Sequence, residues 1–288
     1  MQEKDLIEKH LENYEDVFID VINVLLFRGK KVLQGEILEQ SVTQSFYSLE
    51  GHIHGQDRDI AKYWLAGNVR VAFLGIENQS RIDKYMPMRI IGYDGAVYRG
   101  QLVEKEKKKC YPVITLVLYF GYKKRWKKHR CLHECFNISE ELRPYVNDYK
   151  INLFEIAFLS EDEVALFQSD FRIIADYFVQ MRMRNTYIPS CIKMTHPYET
   201  MRLLSVLTKD CRFSVVCERS EKGGITMCEV LDRVERRGFK AGEKRGEKRG
   251  RFIILKELVE SGTLTVSEAA KHINMSEENF RNKMSLCK

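Results

Sequence analysis

Val69-Arg70-Val71-Ala72-Phe73-Leu74-Gly75-Ile76-Glu77-Asn78-Gln79 is an apolar run that ends in three polar residues. Val69 to Ile76 has the Val, Phe, Leu and Ile content of a strand buried on both faces. Upstream, Arg58 to Leu65 is a second strand candidate, and Ala66-Gly67-Asn68 is the turn signal that joins the two into a hairpin. A carboxylate directly after so apolar a strand is costly unless it meets a cation or a hydrogen-bond donor. Asp59, on the other arm, brings a second carboxylate to the same end. Two converging carboxylates can hold Mg²⁺ while leaving it several waters and room for phosphate oxygens. A cation so held acidifies water and polarises a phosphate. The plainer alternative pairs Asp59 with Arg58 or Lys62 and lets Glu77 cap the following turn. Residue chemistry alone leaves both open.

Outward from the hairpin, residues 5–27 read as a helix. Leu6, Leu11, Val17, Val21, Val24, Leu25 and Phe27 recur at three- and four-residue spacings, and Gly29 is a stop signal. Asp20 and Asn23 share one face of it. Pro87 permits a helix from about Met88 toward Arg99. Cys110 to Phe120 reads as another buried strand. Residues 139–218 look mostly helical, with candidate helices at Glu161–Phe167, Asp170–Met183 and Pro197–Leu207.

Composition shifts after Cys228, and a boundary near residue 232 separates residues 1–232 from 233–288. Residues 233–251 are almost all charged or glycine, with Gly238, Gly242, Gly246 and Gly250 at every fourth position. Such spacing suits close helix packing in a homo-oligomer, or a flexible charged linker. Thr265 to Met284 has the form of a helix-turn-helix. Ser267 can cap a first helix, Asn274-Met275 makes the turn, and Ser276 can cap a second helix containing Phe280 and Arg281. DNA docking and a plain oligomerisation hairpin both use this arrangement.

Hydrophobic residues make up 44% and charged residues 31% of the 288, the balance of a globular chain rather than a disordered one. The net charge of +6 permits a nucleic-acid partner without requiring it. The N-terminus is polar from the start, and the longest apolar run, Val113 to Phe120, falls well short of the roughly 20 residues of a membrane span. A cytoplasmic, non-membrane protein is expected, with its eight cysteines reduced and mostly buried. His129, Cys131, His133 and Cys135 alternate, but neither a strand nor a helix brings such a row to one tetrahedral point, which argues against zinc. Lys123, Lys124, Arg125, Trp126, Lys127, Lys128 and Arg130 form a basic cluster with an embedded aromatic. It suits the DNA backbone, or is a solvated loop anchored by Trp126.

Six ordered segments resemble the recombination-promoting nuclease/putative transposase family of the PD-(D/E)XK nuclease superfamily. They are Arg58-Asp59-Ile60; Gly75 to Gln79; Met86-Pro87-Met88-Arg89 leading to Tyr93-Asp94; Tyr111 to Phe120; Val146 to Tyr149; and Ser169 to Arg172. The resemblance implies an α/β, restriction-endonuclease-like core, a central mixed sheet flanked by helices with the site at one sheet edge, followed here by a helical C-terminal tail. It also implies a metal-dependent DNA endonuclease that promotes recombination, with Mg²⁺, or Mn²⁺ in its place, on Asp59 and Glu77. Asp20 is the candidate for the acidic residue that the superfamily carries on its N-terminal helix. Gln79 stands where the superfamily has Lys; its amide can orient water but supplies no charge. Arg89 and Tyr93, four residues apart on one helix face, would contact DNA phosphate together with Lys124, Arg125 and Lys127. DNA is the expected partner. The competing readings are a non-catalytic DNA-binding or assembly protein that keeps the fold, and a true transposase, for which no well-separated third acid is evident.

Overall fold

The structure, a computed structural model, describes residues 11–34, 38–40, 44–49, 52–57, 59–67, 69–103, 109–210, 213 and 224–286, with backbone alone for 38–57 and 286. Arg58, Asn68 and residues 5–10 of the expected first helix lie outside the described residues. The chain divides into two compact units, Met1–Val230 and Leu231–Lys288. Among the described residues no helix is long and apolar enough to cross a membrane.

The first unit is built on a mixed five-stranded sheet. Its strands are β1 (Leu38–Gln40), β4 (Ile60–Ala66), β5 (Val69–Gln79), β6 (Val113–Tyr119) and β7 (Asn152–Glu155), adjacent in that order. β2 (Gln44–Leu49) and β3 (His52–Asp57) form a separate antiparallel hairpin. β4 runs antiparallel to β1 and β5, whereas β5, β6 and β7 are parallel. This is the α/β architecture that the segment order implied.

Helix α1 (Glu15–Phe27) buries Val17, Phe18, Val21, Ile22 and Val24. Residue 11 is also helical, and residues 12–14 make a turn, so the single helix that the periodicity suggested is interrupted before Glu15. Arg28 and Gly29 end it in the left-handed region, where glycine carries no Cβ penalty. Asn23 is structural: its Oδ1 accepts from Val32 and Leu33 N–H, and its Nδ2 donates to the Leu33 carbonyl. Helix α2 (Met86–Val103) links β5 to β6 and packs Met86, Ile90 and Tyr93 on Val117 and Tyr119. β7 lies within a stretch that reads as helical in the sequence. It is a short edge strand ordered by its parallel register with Leu116–Tyr119, which no local periodicity announces.

Helices α3 (Glu161–Ala165), α4 (Phe171–Arg184) and α5 (Pro197–Thr208) follow. Phe171 and Phe178 of α4 pack on Phe120 at the end of β6. Buried Asp170 joins two of these helices, accepting from the N–H groups of Thr195 (3.0 Å) and His196 (2.6 Å) and from the Thr200 hydroxyl.

Residues 233–251 are helical rather than a loose linker, lying inside the 34-residue α6 (Met227–Glu260). The second unit closes with α7 (Val266–His272) and α8 (Glu277–Leu286), whose Ala269, Ala270 and Phe280 enclose Phe252. The α7 cap is Thr265 rather than Ser267: its hydroxyl accepts from Glu268 N–H while the Glu268 carboxylate accepts from Thr265 N–H, a reciprocal box that Ser267, two residues later and already inside the helix, cannot make. Asn274 takes a left-handed turn and Ser276 accepts from Asn279 N–H, as the tail pattern suggested.

Asp170→Ala would leave two backbone donors without their acceptor in a buried junction. A loss of about 3 kcal/mol is expected, read as a lower urea midpoint at unchanged slope.

Candidate active site

β5 remains a strand through Glu77, Asn78 and Gln79, past the point where its apolar run stops. Its parallel neighbour continues beside it: Glu77 pairs with Val117, Asn78 with Leu118 and Gln79 with Tyr119, and Phe120 N–H donates to the Gln79 carbonyl at 2.8 Å. Side chains alternate across a strand, so Glu77 and Gln79 face α2 while Asn78 faces α1.

Glu77, Gln79, Asp83, Arg89 and Tyr93 meet on the α2 face. The Glu77 carboxylate is 2% exposed. Arg89 Nη2 donates to Glu77 Oε1 and, at 3.2 Å, to the Tyr93 hydroxyl, and its Nη1 pairs with Asp83 at 3.2 Å. Gln79 Nε2 donates to Glu77 Oε1 at 3.3 Å. Asp59 sits just before β4, and its Oδ2 accepts from the Asn78 backbone N–H at 2.7 Å, which sets it beside the end of β5. Burial works against charge on Arg89, yet Glu77, Tyr93 and Asp83 outweigh it and hold the guanidinium firmly protonated. Burial and then the Glu77 charge push the Tyr93 phenol up, with Asp59 adding to it, so Tyr93 is a neutral donor well into alkaline pH.

On the α1 face, Asn78 Nδ2 donates to buried Glu12 at 2.7 Å. Lys62 also turns to this face rather than to Asp59: its Nζ donates to the Asn13 carbonyl at 2.6 Å and lies 5.0 Å from the centre of the Phe18 ring. Burial pushes the Lys62 ammonium down, against Glu15 and Asp16.

Asp20 is not drawn into this assembly. Its carboxylate accepts from Gln168 and Ser169 N–H at 2.9 and 2.7 Å, fixing the turn before α4. The N-terminal acid brought to the strand end is Glu12. Glu12 sits in the turn before α1, and no local feature of the sequence marks it as buried.

A second layer positions α2. Asp94 accepts from the Thr115 hydroxyl at 2.6 Å and from the Tyr149 hydroxyl, binding the helix to β6 and to the loop before β7. Three of the segments carrying the family resemblance therefore meet at one buried carboxylate. The basic loop is held at the same sheet edge by Trp126, which is fully buried against the cluster containing Tyr93 and Tyr119. Glu155 at the end of β7 accepts from Trp126 N–H and pairs with Arg125 (3.4 Å) and Arg130 (3.0 Å). Lys124 and Lys127 stay exposed. The His129-to-Cys135 run turns to backbone carbonyls: His129 to Glu134, His133 to Val146, Cys135 to Cys131. The described cysteines are exposed or half-buried rather than mostly buried.

Among the described residues no group of three or more His, Cys, Asp or Glu side chains is arranged to hold a metal ion. The donors at the sheet edge are Asp59 and Glu77, both oxygen ligands, beside the Gln79 amide and the Tyr93 phenol. This set fits a hard divalent cation that keeps several waters, not one that needs an all-protein cage. The pull of Glu77 on a cation is already expressed in its pairing with Arg89.

Residues 65–196 match the model of a family described as Putative transposase, YhgA-like, a member of the PD-(D/E)XK-like nuclease and transposase group. The matched part contains Glu77, Gln79, Arg89, Tyr93, Asp94 and the basic loop, and begins after Asp59. No curated protein and no solved structure matches the chain.

Arg89→Ala would leave the Glu77 charge buried without its guanidinium. A loss of about 2 kcal/mol is expected, below the roughly 3–5 kcal/mol of a fully buried pair because a third of the Arg89 side chain meets water. Millimolar Mg²⁺ should then raise the melting temperature more in Arg89→Ala than in wild type, read by thermal unfolding.

Proposed function

We propose, from the match of residues 65–196 to the YhgA-like family, that this chain is a metal-dependent DNA endonuclease acting in recombination. The observation that carries the reading is Glu77: a carboxylate buried at the carboxyl end of a parallel strand, ringed by Arg89, Tyr93, Gln79 and Asp59. Asp59 and Glu77 would hold Mg²⁺, with Mn²⁺ equally suited to oxygen ligands. The cation would supply Lewis acidity at the scissile phosphate and an acidified water.

The chain's own groups supply positioning. Gln79 directs its amide to a water beside Glu77, without the charge that a lysine there would add. Tyr93 stays protonated and donates to a phosphate oxygen. Arg89, which pairs with Glu77, would offer its guanidinium to the same phosphate. Lys124 and Lys127 extend the cationic surface along the DNA backbone, and Arg125 contributes less because Glu155 already pairs with it.

Charge distribution supports a DNA partner. Residues 233–251 hold nine Lys or Arg against three Glu, an excess of six that equals the net charge of the whole chain. At 3.6 residues per turn, Arg233, Arg236, Arg237, Lys240, Lys244, Lys248 and Arg251 fall within an arc of about 120° on α6. The glycines at 238, 242, 246 and 250 lie on the other side, where an added Cβ would meet nothing within 4 Å. That side, which also carries Glu235 and Arg249, lets a second copy of the helix approach closely at the glycines and hence suits a homo-oligomer, leaving the mainly basic side for phosphate.

A second reading, a DNA-binding protein without cutting activity, is favoured by Gln79 in the lysine position and by Arg89 already seated on Glu77. Supercoiled plasmid incubated with Mg²⁺, Mn²⁺ or EDTA separates the two. Nicking that requires metal is expected, falling by more than ~100-fold in both Asp59→Ala and Glu77→Ala, beyond the usual effect of losing a supporting residue. Plasmid that is bound but uncut under every metal would establish the second reading.

A further inference from the structure

Cys191 lies in the loop between α4 and α5, and Cys228 in the first turn of α6. They are 37 residues apart in sequence, yet their Sγ atoms lie 2.8 Å from each other. The backbone around them is already registered. Lys193 and Thr226 form an antiparallel bridge, Met194 N–H donates to the Ile225 carbonyl at 2.9 Å, and Gly224 N–H donates to the Met194 carbonyl at 2.8 Å. A disulfide is about 2.05 Å long, so closure asks each sulfur to move by only a few tenths of an ångström. Cys191 is exposed and Cys228 half-buried, so a small oxidant reaches the pair. The Cys135 thiol, by contrast, is directed to backbone carbonyls, that of Lys84 at 3.3 Å and that of Cys131 at 3.7 Å.

We propose that Cys191 and Cys228 are a redox modification site, closing to an intramolecular disulfide on exposure to a small disulfide oxidant such as oxidised glutathione. One cysteine thiolate attacks the oxidant's S–S bond, forming a mixed disulfide and releasing one glutathione thiolate. The second cysteine thiolate attacks the protein sulfur of that mixed disulfide and releases the other glutathione. The two cysteines lose two electrons and two protons, and the oxidant is reduced to two thiols. In a reducing compartment the pair stays open and closes only under oxidative challenge. Closure replaces the hydrogen-bonded tether at the root of α6 with a covalent one. It thereby fixes the first turn of the helix that carries the chain's excess positive charge. Both cysteines belong to the first unit, and the site does not depend on nuclease activity.

The test uses the full chain, treated with oxidised glutathione, blocked with maleimide, and mapped by peptide mass spectrometry. A Cys191–Cys228 cross-linked peptide lighter by two hydrogens is expected. A melting temperature raised by about 10 °C should accompany it, as closing a loop of this length predicts, and dithiothreitol should reverse both. Cys191→Ser should abolish the cross-link and the shift while melting normally under reducing conditions. The proposal is overturned if glutathione remains on Cys191 as an unresolved adduct. It is equally overturned if no cross-linked peptide forms, or if Cys191→Ser shows the same shift on oxidation.

Discussion

The ion pair between Glu77 and Arg89 is the constraint on which the sheet-edge site depends. A carboxylate at 2% exposure must have positive charge or several donors beside it, and Arg89 reaches it from a separate helix. The position of that helix is in turn fixed from behind. Asp94, facing the opposite way from Arg89, takes hydroxyl donors from β6 and from the loop before β7. Met86, Ile90 and Tyr93 pack on β6 between these two polar anchors. A shift of α2 would therefore break a buried carboxylate network on each side, which makes the geometry at Glu77 rigid before any ligand arrives.

The same packing brings the basic loop to the site. Trp126 is buried beside Tyr93 and Tyr119, so the lysines around it are presented at the sheet edge that carries Glu77. Charge is apportioned unevenly along the chain. Around the sheet, cations and anions balance, and the arginines near the site are mostly engaged with Glu77, Asp83 and Glu155. The excess is concentrated on α6, where nearly every side chain from 235 to 249 is in solvent. The buried carboxylate cluster and the excess positive charge are thus carried by different segments, a division that keeps self-repulsion away from the core.

Much of the site could be read from residue order, because its parts are short and local. The hairpin arms, the acidic residue after an apolar strand, and the i, i+4 pair of Arg89 and Tyr93 all follow from periodicity and turn chemistry. Three of the segments that resemble a nuclease family meet through their side chains, Asp94 with Thr115 and Tyr149, while Asp170 of another meets the start of α5 outside them. Glu12, β7 and the true roles of Asp20 and Lys62 were not legible. Each depends on a partner many residues away: Asn78 for Glu12, Leu116–Tyr119 for β7, Gln168 and Ser169 for Asp20, Asn13 for Lys62.

The sequence by itself marked the hairpin, the acidic residue after its apolar arm and the basic, glycine-spaced tail, all written in runs of a few residues over which hydrophobic period and charge pattern act directly. The α/β class and the standing of Gln79 in a lysine position came from the order of segments that resemble a nuclease family. Tertiary structure alone decided which acid lies beside the strand end, that Arg89 sits on Glu77, that Glu155 neutralises two of the basic-loop arginines, and that Cys191 meets Cys228. Those pairings are made between segments tens of residues apart, and a burial or a salt bridge acquires its sign and strength only when the fold removes water from around it.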